Sequence, residues 1–150
     1  MGNLLAKVRI LDLTNVLAGP FCCYQLAQLG ADVIKVEVPG SGDLARQLGA
    51  DPALNKKHMG ASFLAQNAGK RSITLNLKHP KGREAFTKLV ATSDVVVENF
   101  RPGVMERLGL GYEALKKAKP DIIYCAISGF GQEGPLKFNP AYEDRKSTSL

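Results

Sequence analysis

Short apolar runs broken by glycine, proline and small polar clusters set the rhythm of the 150-residue chain. Residues 7–13, K-V-R-I-L-D-L, read as a first strand, and residues 31–37, A-D-V-I-K-V-E, as a second apolar one. Residues 72–77, S-I-T-L-N-L, alternate cleanly, with Ile73, Leu75 and Leu77 against Ser72, Thr74 and Asn76, the period of a half-buried strand. Within residues 94–103, D-V-V-V-E-N-F-R-P-G, three β-branched residues in a row suit a strand buried on both faces. Residues 121–127, D-I-I-Y-C-A-I, make the last strand.

Helical patterns fall between the strands. Pro20 marks a helix start, and that helix runs to about Leu29 with Leu26 and Leu29 on its buried side and Gly30 as a left-handed cap. A short helix is expected over residues 61–68, and a longer one opens at Pro80 with Phe86, Leu89 and Val90 as its apolar stripe. Pro102 suits the first position of a short helix ending near Leu108, and residues 112–118 form another before Pro120. Residues 38–43 are a turn-rich loop, and residues 44–60, with no sustained period, read as a surface excursion. The alternation of about five strands with helices predicts an α/β, Rossmann-like, mostly parallel sheet with helices on both faces. Ligands of such sheets bind at the carboxyl ends of the strands, so several strand-end loops should converge on one site. Residues 1–143 read as one unit, and residues 144–150, D-R-K-S-T-S-L, as a disordered tail of a chain that is cut short.

Composition narrows the class. A content of 45% hydrophobic and 23% charged residues is that of an ordinary globular domain, and no apolar run approaches a membrane span. Met1-Gly2 is not a myristoylation signal, because Ala6 stands where serine or threonine is required. Three cysteines without metal-ligand spacing favour a reducing setting, hence a cytoplasmic expectation, with mitochondria or peroxisomes left open for a eukaryotic chain. The net charge of +6 favours anionic partners, among them phosphate-bearing small molecules. No nucleic-acid recognition motif accompanies that charge.

The candidate chemistry begins with phosphate. A dinucleotide site would place G-x-G-x-x-G after the first strand, but L-A-G-P-F-C-C-Y stands there, and the P-loop pattern is absent. S-G-F-G-Q-E-G, residues 128–134, contains G-x-G without a following helix, which leaves an NAD(P)-binding oxidoreductase domain as a weak alternative. Lys70, Arg71, Lys78, Arg101 and Arg107 sit at or near predicted strand ends, where they either bind phosphates or remain solvated surface charges. Asn99-Phe100 offers an amide and a stacking ring, or alternatively a capping amide and a core aromatic. Cys22 and Cys23 read as packing residues, His58 and His79 carry no assignment, and Glu37, Glu98 and Glu143 are candidate bases without a demonstrable partner.

The segments V-L-A-G-P-F, G-A-D-V-I-K-V-E, K-R-S-I-T-L-N-L-K, D-V-V-V-E-N-F-R-P-G-V-M-E-R-L-G-L-G-Y and I-S-G-F-G-Q-E-G-P occur in order over about residues 5–143. Together they resemble the family III CoA-transferases, a family that includes formyl-CoA transferase, carnitine CoA-transferase and α-methylacyl-CoA racemase. The resemblance implies the N-terminal, CoA-binding part of a Rossmann-like large domain, in a homodimer whose chains interlock. It implies coenzyme A or acyl-CoA and a carboxylate acceptor as substrates, no metal, and no nucleic-acid or membrane partner. Carried over motif by motif, the CoA contacts are Val16, Leu17, Ala18, Leu75, Lys78, Asn99, Phe100, Arg107 and Tyr142. Val38 departs from the family pattern, which often has a basic residue there for the adenosine end, and Pro140 stands where formyl-CoA transferase has lysine. The racemase's His-Asp is Tyr142-Glu143 here, which points to transferase rather than racemase chemistry. Transferases of the family pass CoA through an aspartyl anhydride and thioester, and the motif places that aspartate beyond Leu150. No catalytic residue is therefore assigned, and the chain alone is expected to bind CoA without turnover.

Overall fold

The structure is a computed structural model, and it describes residues 3–139. Strands β1 (Arg9–Asp12), β2 (Asp32–Glu37), β3 (Arg71–Thr74), β4 (Val95–Glu98) and β5 (Ile123–Ala126) form one sheet in the order β3-β2-β1-β4-β5. Every neighbouring pair is parallel. Strand order reverses between β1 and β4, so the topological switch point of this Rossmann-like sheet lies at their carboxyl ends. The triple valine behaves as expected. Val96 and Val97 are both fully buried and belong to different apolar clusters, one on each face of the sheet.

Helices cover both faces. Helix α1 (Ala18–Gln28) packs on one side, where Ile10, Cys23, Ala31, Val33 and Val97 form a small core. On the other side Leu11, Leu13, Ile34, Val36 and Val96 meet Phe86 and Val90 of α4 (Pro80–Val90), Met105 of α5 (Val104–Arg107) and Leu115 of α6 (Tyr112–Ala118). Among the described residues no helix is long and apolar enough to cross a membrane.

Several local expectations need correction. Helix α1 begins at Ala18, two residues before Pro20, and Leu29 is 44% exposed rather than buried. The buried face of α1 is instead set by Gly19, Pro20 and Cys23, with Leu26 and Ala27 half-buried against the sheet, and Leu29 lies past the last turn. Gly30 does close the helix as expected. At φ +99° it lets its own N–H reach Ala27 O (2.9 Å) and the Ala31 N–H reach Leu26 O (3.1 Å), a Schellman pair. Pro102 lies in a turn, and Gly103 is the N-cap of α5. Strand β3 ends at Thr74, short of Leu77, because its one partner strand β2 ends opposite it at Glu37; Leu75 and Leu77 still pack on the larger core.

The supposed excursion at 44–60 is structured. A 3-10 turn, Leu44–Gln47, buries Ala45 completely, and α2 (Pro52–Lys56) is capped by Asp51, whose Oδ1 accepts from Ala53 N (2.8 Å). Elements this short span less than two turns, so they leave no periodic trace. Helix α3 (Ala61–Asn67) matches the expected short helix.

Candidate functional site: the loop at the switch point

The loop after β1, residues 13–18, lies where strand order reverses, and side chains from other elements hold its backbone. Asp12 Oδ1 accepts from Thr14 N (2.9 Å), and the ammonium of Lys35 donates to Thr14 O (2.8 Å). Asn99, just past β4, clamps Asn15 twice. Its Oδ1 accepts from Asn15 N and its Nδ2 donates to Asn15 O, each at 2.8 Å. Asp43 Oδ1 accepts from Val16 N at 3.0 Å. With its amide nitrogen facing the loop, Gln66 of α3 donates to Val16 O (3.2 Å) and Leu17 O (3.0 Å). Lys70 reaches the far side and donates to Pro20 O at 2.9 Å.

The clamped conformation is strained. Val16 has φ +70°, a region in which a β-branched residue is a true outlier at a cost of about 1–3 kcal/mol. Val16, Leu17 and Ala18 remain exposed, and among the described residues the N–H groups of Leu17 and Ala18 have no protein acceptor. They open α1, whose macrodipole favours negative charge at that end. Gly19 packs directly on the Thr14 side chain, with which a Cβ at this position would collide.

Beneath the loop lies a buried ionic layer. Lys70 Nζ meets Asp12 Oδ2 at 2.8 Å, and Lys35 Nζ meets Asp43 Oδ2 at 2.9 Å, all four side chains 0–1% exposed. The Lys35–Asp43 contact is an ion pair rather than an aligned hydrogen bond, since Asp43 Oδ2 receives no directed N–H. Burial lowers the proton affinity of Lys70, and Asp12 opposes that shift. Burial and the Asp12 carboxylate push the Cys23 thiol far up, leaving a packing residue rather than a nucleophile. Beside this layer Glu37 accepts from Arg46 Nη2 (2.6 Å), Ser72 Oγ (2.6 Å) and Asp43 N (2.9 Å). Burial alone would raise its carboxyl, but those donors outweigh it and hold Glu37 at about 2. An open hollow of about 230 Å³ adjoins it, lined by Val38, Ser41, Arg46, His58 and Thr74 among others.

At the end of β4, Glu98 is buried, and its pKa is raised by that burial, with Phe100 N (2.7 Å) and the Tyr124 hydroxyl (3.1 Å) donating to it in opposition. Phe100 packs on the larger core. Asn99 thus bonds the switch-point loop, and Phe100, half-buried, packs on the core beside it. Leu75 is half-buried on the same core. Lys78 is exposed beyond edge strand β3, two strands from β1, or about 10 Å at the usual spacing. Arg107 is exposed on α5 with its guanidinium close over Gly103. Tyr142, Pro140 and Glu143 lie outside the described residues.

Two phosphate candidates are overturned. Lys70 is spent on Asp12, Pro20 O and Asn67 Oδ1. Arg71 turns to Asp32 at the opposite, amino end of the sheet, where Arg9 joins the same carboxylate. Arg101 is exposed at the correct end. His79, left without a role, caps α4 by accepting from Lys81 N at 3.2 Å. Sequence reasoning missed Lys35, Asp43 and Gln66. Only Lys35 leaves a trace, as a charge between Ile34 and Val36 in the middle of a buried strand. Among the described residues no group of three His, Cys, Asp or Glu side chains could hold a metal.

Comparison with known proteins places this geometry. The family model described as CoA-transferase family III matches residues 5–146. A succinyl-CoA:glutarate CoA-transferase of Mus musculus is 49% identical over 139 residues, 93% of this chain and 31% of its own length. An acetyl-CoA:oxalate CoA-transferase of Acetobacter aceti is 50% identical over 134 residues, 89% of this chain and 33% of its own. A crystal structure of a hypothetical protein from Mycobacterium tuberculosis superposes with a TM-score of 0.85 at 39% identity, covering 97% of this chain and 39% of that one. The chain thus spans about a third of the length of the curated relatives it matches. With the family model matched across nearly all of its residues, the chain belongs to CoA-transferase family III.

Proposed function

We propose that this chain supplies the coenzyme A-binding part of an enzyme that moves CoA from an acyl-CoA to a carboxylate acceptor. The observation that carries this reading is the switch-point loop. Its backbone is clamped from five directions, yet on the exposed residues Leu17 and Ala18 the N–H groups have no acceptor among the described residues and can serve an anionic or carbonyl-rich ligand. CoA would lie along the carboxyl edge of the sheet, against Val16, Leu17 and Ala18. Lys78 and Arg107 would meet phosphate oxygens, and Tyr142 would add a contact from outside the described residues. Asn99, Leu75 and Phe100 would shape this site from behind, since their side chains are already engaged.

The relatives add support. One is named for succinyl-CoA and glutarate and the other for acetyl-CoA and oxalate, and they match this chain at 49% and 50% identity. Both names carry a CoA thioester and a carboxylate, which supports CoA as the shared ligand of such enzymes. The buried carboxyls Asp12, Glu37, Asp43 and Glu98 are all committed to structural partners, which supports a nucleophilic aspartate outside the described residues. In that chemistry the aspartate attacks the acyl carbonyl and expels CoA thiolate, forming an anhydride. The thiolate then takes the aspartyl carbonyl and releases the donor acid. The acceptor repeats the exchange in reverse order. A homodimer completes the proposal, and the chain alone binds without turnover.

Calorimetric titration of the 150-residue chain with CoA, with NAD as the control, tests the reading. Saturable CoA binding is expected, weakened about tenfold by Lys78→Ala through loss of one charge-assisted contact. Saturation by NAD with none by CoA overturns it.

A further inference from the structure

We infer that Asp43 and Lys35 are positioning residues for the CoA site, holding the switch-point loop in the strained shape that presents its free N–H groups. The inference rests on the CoA reading of that loop. Neither residue can touch a ligand, because their side chains are 0% and 1% exposed. Both act through Val16 and Thr14.

The geometry makes Asp43 a junction. Its Oδ1 takes the Val16 N–H (3.0 Å) and also caps the 3-10 turn at Ala45 N (2.9 Å). Its Oδ2 faces the Lys35 ammonium at 2.9 Å, and its own N–H is held by Glu37 Oε1 at 2.9 Å. Lys35 then bonds Thr14 O (2.8 Å), two residues before Val16. The carboxylate is therefore fixed from three sides, and the one donor it holds across the crevice is the N–H of the residue at φ +70°. Without that acceptor Val16 has every reason to relax to negative φ, turning the following peptide and its N–H away from the crevice. A side chain that served only folding would not need to bond the one strained non-glycine residue of the loop. His58 is the other non-glycine residue with positive φ among those described, and its N–H bonds Asn55 O within its own turn.

In Asp43→Asn the amide nitrogen that replaces one carboxylate oxygen opposes either Lys35 or the Val16 N–H, whichever it faces. Hydrogen exchange at the Val16 amide, read by NMR, reports the latch directly. Slow exchange is expected in the unaltered chain although Val16 is 36% exposed, and exchange at least about tenfold faster is expected in Asp43→Asn, with the β1 and β4 amides unchanged. CoA affinity should fall about tenfold in Asp43→Asn. Leu115→Ala, on the opposite face of the sheet, should leave the CoA affinity of the folded chain unchanged. A purely structural role predicts that the two variants of the folded chain bind alike. Fast exchange at Val16 in the unaltered chain, or CoA affinity of folded Asp43→Asn equal to that of the unaltered chain, overturns the inference. The first of these needs no variant to fold. If the folded, unaltered chain fails to bind CoA, the CoA reading falls, and the exchange comparison still decides whether Asp43 holds the loop.

Discussion

The two faces of this sheet are built on different principles. Toward α4, α5 and α6 the strands present Leu11, Leu13, Ile34, Val36 and Val96, and stability comes from apolar area removed from water. Toward α1 and α3 the amino halves are apolar, with Ile10, Val33 and Val95, but the carboxyl halves of β1 and β2 carry Asp12, Lys35 and Glu37. Those charges are paired with Lys70, Asp43 and Arg46. A buried ion pair adds little net stability over apolar packing of the same volume. What it supplies is direction. Methyl groups could fill the space under the switch-point loop, but they could not hold Thr14 O, Val16 N and Pro20 O in place. One face makes the domain stable, and the other shapes the loop that the site needs.

Substitutions can break this contrast. The largest loss is expected for Lys70→Met, which leaves Asp12 buried and uncompensated at about 3–5 kcal/mol in urea unfolding. A second change, Asp12→Leu, should recover part of that loss, because a buried pair replaced as a unit is tolerated. On the apolar face the response differs. Leu115→Ala should cost about 2–5 kcal/mol, and adding Met105→Ala should deepen the loss rather than repair it. Recovery on the apolar face, or none on the charged one, would erase the distinction.

A smaller effect concerns acid. The carboxyl of Glu37 is depressed from its ordinary 4.5 to about 2 in the folded chain, so its pairing stabilises the fold fully above about pH 4.5. That contribution should disappear as pH falls through about 2. The urea midpoint of the unaltered chain minus that of Glu37→Gln should shrink over this window and be flat above it. A difference unchanged at the acid end would show that Arg46 does not hold Glu37 as a carboxylate.

The apolar face was legible in the sequence because its information is periodic. Val96, the stripe of Phe86, Leu89 and Val90, and the alternation around Ile73 all read correctly. Leu29 misled because two leucines at i, i+3 outweighed Gly19 and Cys23, although close packing against a sheet favours small residues. The site was legible only in outline. Residues 16–18 and Asn99 carry a recognisable motif, but Lys70 and Arg71 looked alike as neighbouring basic residues. The structure turns one into the ionic layer and the other to Asp32 at the opposite end. Successive strand residues point to opposite faces, and nothing in their order tells which face holds a partner.

By itself, then, the sequence determined what depends on local pattern and motif: the strands and most helices, the parallel α/β class, and membership of the CoA-transferase family III. Tertiary structure alone decided which charges stay exposed at the strand ends and which are buried in ion pairs. The pairs that matter join Asp12 to Lys70, Lys35 to Asp43, and Asn15 to Asn99, across distances of 58, 8 and 84 residues. Such contacts exist only once the sheet has brought the strand ends together, since burial is what makes each charge choose one partner over water.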